Sequence, residues 1–575
     1  MPTRAAFSFV LHSHLPWVLH HGRWPHGVDW LNEAAAETYL PLWRDLHART
    51  AGTRALGVTI GLSPVLCEQL AHPDYPSEFV SYLEQKIEAA RDDRAAFTAG
   101  DDLSMAALAE RWERFYRSTL EDFMGPHGSN LVARFRRLEE AGAIEIITCG
   151  ATHGYLPLLA TDAAAEFQIQ TAVATHRRHF GRAPRGIWLP ECAYRPAGPW
   201  PSPAIEREGG FGPDDPTPPH ARVGVEELLA AHGLRYFFVD SHLIAGGRPL
   251  GTYAERFDAI RRLVPAETAA APRQHTTDRA YRVGPTAVVS CFGRDAATTV
   301  QVWSGEHGYP GDAAYLDFHK KRFPGGHRYW AVTHPKADMA DKVPYQPLVA
   351  TERTAQHADH FVRLLESTLA GATGGSRMLT AMFDAELFGH WWFEGPQFLA
   401  EVVDRLVAGG RIEPQSAGAF LERHGAPAIV DLPEGSWGDG GGHKVWLNET
   451  TRWTWVELHR AEARFEALVG RARARSGDAL LERLAAQTAR ELLLAQASDW
   501  QFLITTIAAR DYAELRIRRH FDDFDTLATL TERRLAGSPI TDTEERLLGE
   551  IETRDRLFND LDWRAYGARA LATRA

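Results

Sequence analysis

The sequence predicts an α/β fold organised around a parallel sheet of about seven strands, with a closed barrel preferred over an open sheet. Three observations carry this. Seven short apolar runs recur along the first 400 residues, most of them separated by helical patterning. The runs are continuous rather than alternating, as expected of strands buried on both faces. In almost every case the polar, chemistry-bearing residues follow the run, and parallel barrels carry their active sites at the C-terminal ends of their strands. An open doubly wound sheet would show the same alternation, but no Gly-rich dinucleotide fingerprint follows the first run.

The first run is 6–12 (AFSFVLH), followed by Ser13 and His14. His12 and His14 flank a single residue and could ligate a metal. No third ligand lies within sequence reach, so hydrogen bonding to a polar ligand is the preferred reading. A loop then leads into a helix within 21–43 (HGRWPHGVDWLNEAAAETYLPLW). The second run, 54–60, is closed by Gly61-Leu62-Ser63-Pro64. Residues from about 66 to 140 lack strand signals and read as several helices forming a lobe. The third run, 143–149, is followed by a loop carrying His153. The fourth, 186–190, delivers Glu191. The fifth, 236–239, ends at Asp240, Ser241 and His242. The sixth, 287–292, ends at Gly293, Arg294 and Asp295. The seventh, 379–383, ends at Asp384, with Glu386, His390, Trp391, Trp392 and Glu394 close behind.

Two stretches read as surface insertions, 198–220 and 254–279, and the loop between His242 and Tyr253 leads into the second as a candidate lid. The segment 371–376 (GATGGS) lacks the Lys-Ser/Thr of a phosphate loop and reads as a turn. Beyond Pro414 the composition changes to a Gly- and Trp-rich loop (433–455). Helical patterning then dominates from Glu457 to the end. Inside that region Asp499 and Trp500 sit within an apolar run. A buried Asp needs a partner, so Asp499 either braces a local network or projects into a shared cleft.

A chain of 575 residues is expected to divide into two or three domains. A formal charge of -12 argues against nucleic acid or an anionic membrane as partner. Four cysteines without metal-type spacing read as buried free thiols of a cytoplasmic protein. No signal-peptide pattern and no membrane-length apolar segment occur. Of the 17 tryptophans, Trp24, Trp30, Trp303, Trp391, Trp392, Trp437 and Trp446 lie in loop-like sequence. Exposed indoles there would suit sugar rings, against the plain alternative of core packing.

Glu191 and Asp384 each have an ordinary alternative, a strand-end ion pair for one and a helix cap for the other. Together they would stand at one barrel mouth among aromatics, the arrangement glycoside chemistry requires. One carboxylate attacks or stabilises the anomeric carbon and the other protonates the leaving oxygen. A Ser-His-Asp hydrolase is less supported because no GxSxG elbow is present.

These residues lie in segments that resemble glycoside hydrolase family 57: HSHLP at 12–16, GLSP at 61–64, GIWLPECAY at 186–194, MFDAELFGHWWFEGP from Met382, and the SDW segment at Asp499. Within the family, WPHGVDWLNEAAAETYLPL, YFFVDSH, FGRD with QVWSGEHGYPGD, and WGDGGGHKVWLN resemble the 1,4-alpha-glucan branching enzymes. The resemblance implies a distorted (β/α)7 barrel over 1–413 with the helical insertion at about 66–140. A C-terminal helical domain over 414–575 would contribute to the cleft. It also implies retention of anomeric configuration with no metal or other cofactor. Glu191 would be the nucleophile and Asp384 the general acid/base. His12, His14, His153 and Asp499 would line the subsite around the cleaved bond, and Trp30, Trp303, Trp437 and Trp446 would bind sugar. Tyr253 is the nearest candidate for a loop tyrosine that favours transfer over hydrolysis. The expected activity is cleavage of an α-1,4-glucan and transfer to a 6-hydroxyl. A 4-alpha-glucanotransferase or amylase of the same family, a non-catalytic glucan-binding protein, and a metal-dependent deacetylase-like barrel using His12, His14 and an Asp are the alternatives.

Overall fold

A computed structural model of the chain describes residues 5–23, 25–50, 55–202, 219–251, 257–263, 271–284, 286–304, 308–334, 336–370 and 375–568. Tyr253, Trp24 and Arg54 lie outside them, as do the middle of the 198–220 segment, parts of 254–279 and most of 371–376.

Seven strands make the core: β1 (Ala6–Ser13), β2 (Val58–Leu62), β3 (Glu145–Ile147), β4 (Gly186–Ile187), β5 (Tyr236–Val239), β6 (Ser290–Gly293) and β7 (Met378–Asp384). β7, β1, β2 and β3 pair in that order, and β6, β5 and β4 form a second parallel row. Two parallel bridges join the rows, Thr148 to Ile187 and Arg294 to Thr380. Every neighbouring pair is therefore parallel and the ring closes. This is the seven-stranded barrel the resemblance implied. Every residue of β1 and β2 is buried, as is all of β7 but its last, which is why these strands read as unbroken apolar runs.

The structure shifts several predicted boundaries. β4 is only two residues long, and Pro190, which cannot donate to a ladder, starts a 3-10 turn soon after it, Pro190–Cys192. β6 begins at Ser290 rather than 287, since Ala287 lies at φ 49 in a turn after the short strand Tyr281–Val283. The ends of the 198–220 insertion pair as antiparallel strands, Gly198–Trp200 with His220–Arg222. Within 254–279, the helix Asp258–Leu263 buries Ile260, while Phe257 packs edge-on against Phe502.

Between β2 and β3 lie the helices Pro64–Leu70, Tyr75–Ala99, Leu103–Met124 and Leu131–Glu140. The second and third form a hairpin through Phe79–Phe123 and Tyr82–Tyr116 contacts, with Asp102 capping the third through the Met105 amide. At the C-terminus, the helices Arg452–Ala472, Ala479–Ala495, Asp499–Thr506, Arg510–Leu535 and Asp542–Arg554 pack against the barrel mouth. They are tied to the loop after β1 by buried polar contacts: His21 Nε2 lies 2.6 Å from Asp555, and Arg516 donates to the Trp17 carbonyl. No helix among the described residues is long and apolar enough to cross a membrane.

Candidate active site

The C-terminal ends of the strands converge on one cluster. His12, near the end of β1, is in register with Asp384 on β7 and with Gly61 on β2. Its ring stacks on Trp188, 4.9 Å away and 7° from parallel. Its Nε2 lies 2.9 Å from Nε2 of His153, so one imidazole donates to the other. Burial pushes both pKa values well down, which favours the neutral form of each ring. His153 sits in the left-handed region, φ 63, on the loop after β3, and its Nδ1 is 2.8 Å from the Ser498 hydroxyl.

His14 is held at three points. Its amide donates to Glu386, its Nδ1 lies 2.9 Å from the Ser63 hydroxyl, and its Nε2 lies 3.0 Å from Asp499. The rings of His14 and His153 stack 4.0 Å apart. Asp499 therefore does not brace a purely local network. It opens the helix Asp499–Thr506 and projects into the cluster from the C-terminal region. Glu386 is buried, accepts from the Tyr39 hydroxyl as well as His14, and has its pKa raised by burial. Its role is to fix His14.

Glu191 lies in the turn after β4 with φ 59 and ψ 24, a left-handed conformation uncommon for a non-glycine residue. Cys192 follows at φ 49. The turn is locked by the Trp437 amide donating to the Glu191 carbonyl, while the Trp437 indole N–H donates to the carboxylate at 2.7 Å. Ser498 donates to the other oxygen at 3.4 Å. Burial is the main cause that raises the Glu191 pKa to about 7. The Asp499 charge adds to it, and the Trp437 hydrogen bond opposes it.

Asp384 ends β7 half-buried, on the far side of the ring from β4. Its charge and that of Glu191 both bear on the buried Cys192 thiol. Arg294 and Asp240 form a buried pair beside this wall, with Arg294 5.7 Å from the Trp437 ring and donating to the Leu250 carbonyl.

The tryptophans do not follow the expectation of exposed platforms. Trp303 is buried, donates to the Met382 carbonyl and meets Trp437 edge-on at 6.0 Å. Trp446 is fully buried behind this wall, against Tyr155, and Trp392 is buried in the core; neither presents a face to a sugar here. The Gly-rich loop that suggested exposure allows close packing instead: a Cβ on Gly438 would stand 2.6 Å from the Trp446 ring. Trp30 is half-buried against His26 and Tyr512. Trp391 is exposed. Tyr253 lies outside the described residues.

Sequence reasoning missed Ser498, Ser63 and Trp188. Ser498 had one available signal, its place beside Asp499. Donor atoms of His14, His153 and Asp499 lie within 4.8 Å of one another, a spacing a cation could use, although these groups also hydrogen bond within the cluster.

If Glu191 must ionise to react, kcat/KM should rise with pH through about 7, the value burial imposes on the free enzyme. Trp437→Phe removes the hydrogen bond that favours the charged carboxylate. That variant should move the acidic limb of the kcat/KM profile to higher pH, and an unmoved limb would disconnect Glu191 from it.

The profile described as glycosyl hydrolase family 57 matches residues 8–433. The profile described as 1,4-alpha-glucan branching enzyme, C-terminal, matches residues 457–566. A 1,4-alpha-glucan branching enzyme of Thermococcus kodakarensis is 40% identical over 556 residues, spanning 96% of this chain and 77% of the relative. Its crystal structure superposes with a TM-score of 0.85 at 38% identity, covering 98% of this chain and 96% of that one. The family 57-type branching enzyme of Pyrococcus horikoshii gives a TM-score of 0.85 at 37% identity, with coverages of 98% and 96%. An alpha-amylase of Thermotoga maritima gives 0.77 at 27% identity, with coverages of 98% and 99%.

Proposed function

The chain belongs to glycosyl hydrolase family 57, and we infer from its relatives and its site that it is a 1,4-alpha-glucan branching enzyme. It cleaves an α-1,4-glucan and transfers the freed segment to a 6-hydroxyl, making an α-1,6 branch. The observation that carries the reading over an amylase is the C-terminal region, which matches the branching-enzyme C-terminal profile over residues 457–566 and supplies Ser498 and Asp499 to the cluster.

Glu191 attacks the anomeric carbon while Asp384 protonates the departing oxygen, giving a covalent glucosyl-enzyme. Asp384 then takes the proton of the acceptor 6-hydroxyl as that oxygen displaces Glu191. His12, His14, His153 and Asp499 surround the sugar at the cleavage point, and Trp303 and Trp437 wall it. Their mutual hydrogen bonds support this, since a pre-positioned cluster loses little freedom on binding. Environment alone argues the other way for the carboxylates, because the raised pKa of Glu191 suits a proton donor. The resemblance of the 186–194 segment to the family's motif supports Glu191 as nucleophile. The acceptor subsite, and Tyr253 as the residue that favours transfer, belong to the same proposal. The natural substrate is an amylose- or glycogen-like glucan, and the four free, buried thiols suit a cytoplasmic location.

Incubation with amylose tests the reading. Branching lowers iodine staining with no rise in reducing ends, and an α-1,6-specific debranching enzyme then releases short chains. New reducing ends without α-1,6 linkages would mean hydrolysis, and retention without turnover would mean binding alone. A chelator should leave turnover unchanged; loss of activity restored by a divalent metal would favour a metal-dependent site at His14, His153 and Asp499.

A further inference from the structure

We propose that Trp391 and Phe318 form an additional α-glucan-binding subsite on the rim of the cleft, outside the cluster around Glu191 and Asp384. The proposal rests on the α-glucan reading above.

Trp391 is 40% exposed, whereas Trp303, Trp392, Trp437 and Trp446 are each at 5% or less. A single exposed apolar side chain needs no explanation, but this one is part of a built surface. Its ring stacks on Phe318, itself only partly buried, with centroids 4.3 Å apart and planes 29° from parallel. The two rings come from different places in the chain. Phe318 belongs to the connection between β6 and β7, and Trp391 to the loop after β7. His390 stands edge-on to both, at 5.3 and 5.6 Å.

Polar groups flank the rings as sugar hydroxyls require. Glu33 Oε2 lies 3.8 Å from His390 Nε2, with the Glu33 side chain 22% exposed, and Lys321 Nζ lies 5.3 Å from the Phe318 centroid. An aromatic face takes the C–H side of a pyranose, and carboxylate, imidazole and ammonium groups take its hydroxyls.

The surface is also fixed in place. The Trp391 amide donates to the Glu386 carbonyl, the His390 amide donates to the Thr38 hydroxyl, and Arg328 donates to the His390 carbonyl. Gly389 lies at φ +116 with its α-carbon against the Glu37 carbonyl, where a Cβ would stand 1.8 Å from that oxygen. A rigid platform binds at lower entropic cost than a mobile one. It is linked to the reaction centre by hydrogen bonds through Glu386, whose carbonyl accepts from the Trp391 amide and whose carboxylate holds His14. A glucan chain held on Trp391 and Phe318 would add binding remote from the reaction centre, and remote binding of this kind selects long chains over short ones.

The test is native electrophoresis in gels containing amylose, with unfolding midpoints as the control for intact structure. Trp391→Ala and, independently, Phe318→Ala should weaken retardation about tenfold, while Trp391→Phe, which keeps an aromatic face, retains most of it. A Trp391→Ala protein retarded as strongly as wild type would overturn the subsite, as would a wild-type protein that converts amylose without being retarded. A wild-type protein that neither converts nor binds amylose would instead overturn the functional reading on which the subsite rests.

Discussion

Glu191→Gln should lower kcat on amylose by about ten-thousand-fold or more, the scale seen when a covalent nucleophile is removed. The substitution keeps the size of the side chain and its contacts with Trp437 and Ser498. It removes the charge that attacks. The fold should survive, because a carboxyl whose pKa is raised to about 7 by burial already spends part of its time neutral. The informative result is therefore an inactive protein with an unfolding midpoint at or slightly above that of wild type. Near-normal branching by this variant would sink the assignment of Glu191.

Asp384→Asn should lower kcat by about a hundred- to ten-thousand-fold, the range expected when a positioned proton donor and acceptor is lost. The loss should depend on the leaving group. Maltosyl fluoride departs with little protonation, so the first step on that substrate should be affected far less than on amylose. The second step should then be slow, and added azide, which needs no base, should restore turnover as glycosyl azide. Equal losses on both substrates, with no rescue, would place Asp384 in a structural role at the end of β7.

The parts of the fold legible in sequence are those set by burial on both faces. β1, β5 and β7 are continuous apolar runs, and the polar residues that follow them mark the mouth. The closure of the ring was less legible, because it depends on single bridges, Thr148 to Ile187 and Arg294 to Thr380. Strands of two or three residues, such as Glu413–Pro414 or Tyr281–Val283, are held by their neighbours and have no pattern of their own. Glu191 and Asp384 stand out in the sequence as candidates because each ends an apolar run. What surrounds them does not, because the contacts are non-local. His153 meets His12 across 141 residues, and Ser498 reaches Glu191 across 307.

The tryptophans show the limit most clearly. Gly and polar neighbours around Trp437 and Trp446 resemble an exposed loop in sequence. In the fold, the absence of a side chain at Gly438 lets the Trp446 ring pack closely, and the loop turns its indoles inward, one of them onto the Glu191 carboxylate. Trp391, by contrast, sits two turns of chain beyond Asp384 and keeps an exposed ring. Sequence neighbourhood did not separate these cases; only the packing of the loop against the barrel does.

The division of labour between the two carboxylates is the centre of this account, and motif match and electrostatic environment weigh on it from opposite sides. Trapping resolves it. The protein is incubated with a 5-fluoro maltosyl fluoride, whose glycosyl-enzyme turns over slowly, and the digest is read by mass spectrometry. The expected result is a single 5-fluoromaltosyl adduct on the peptide containing Glu191, absent from Glu191→Gln and enhanced in Asp384→Asn. An adduct on Asp384, or steady turnover with inversion at the anomeric carbon and no adduct at all, would contradict it.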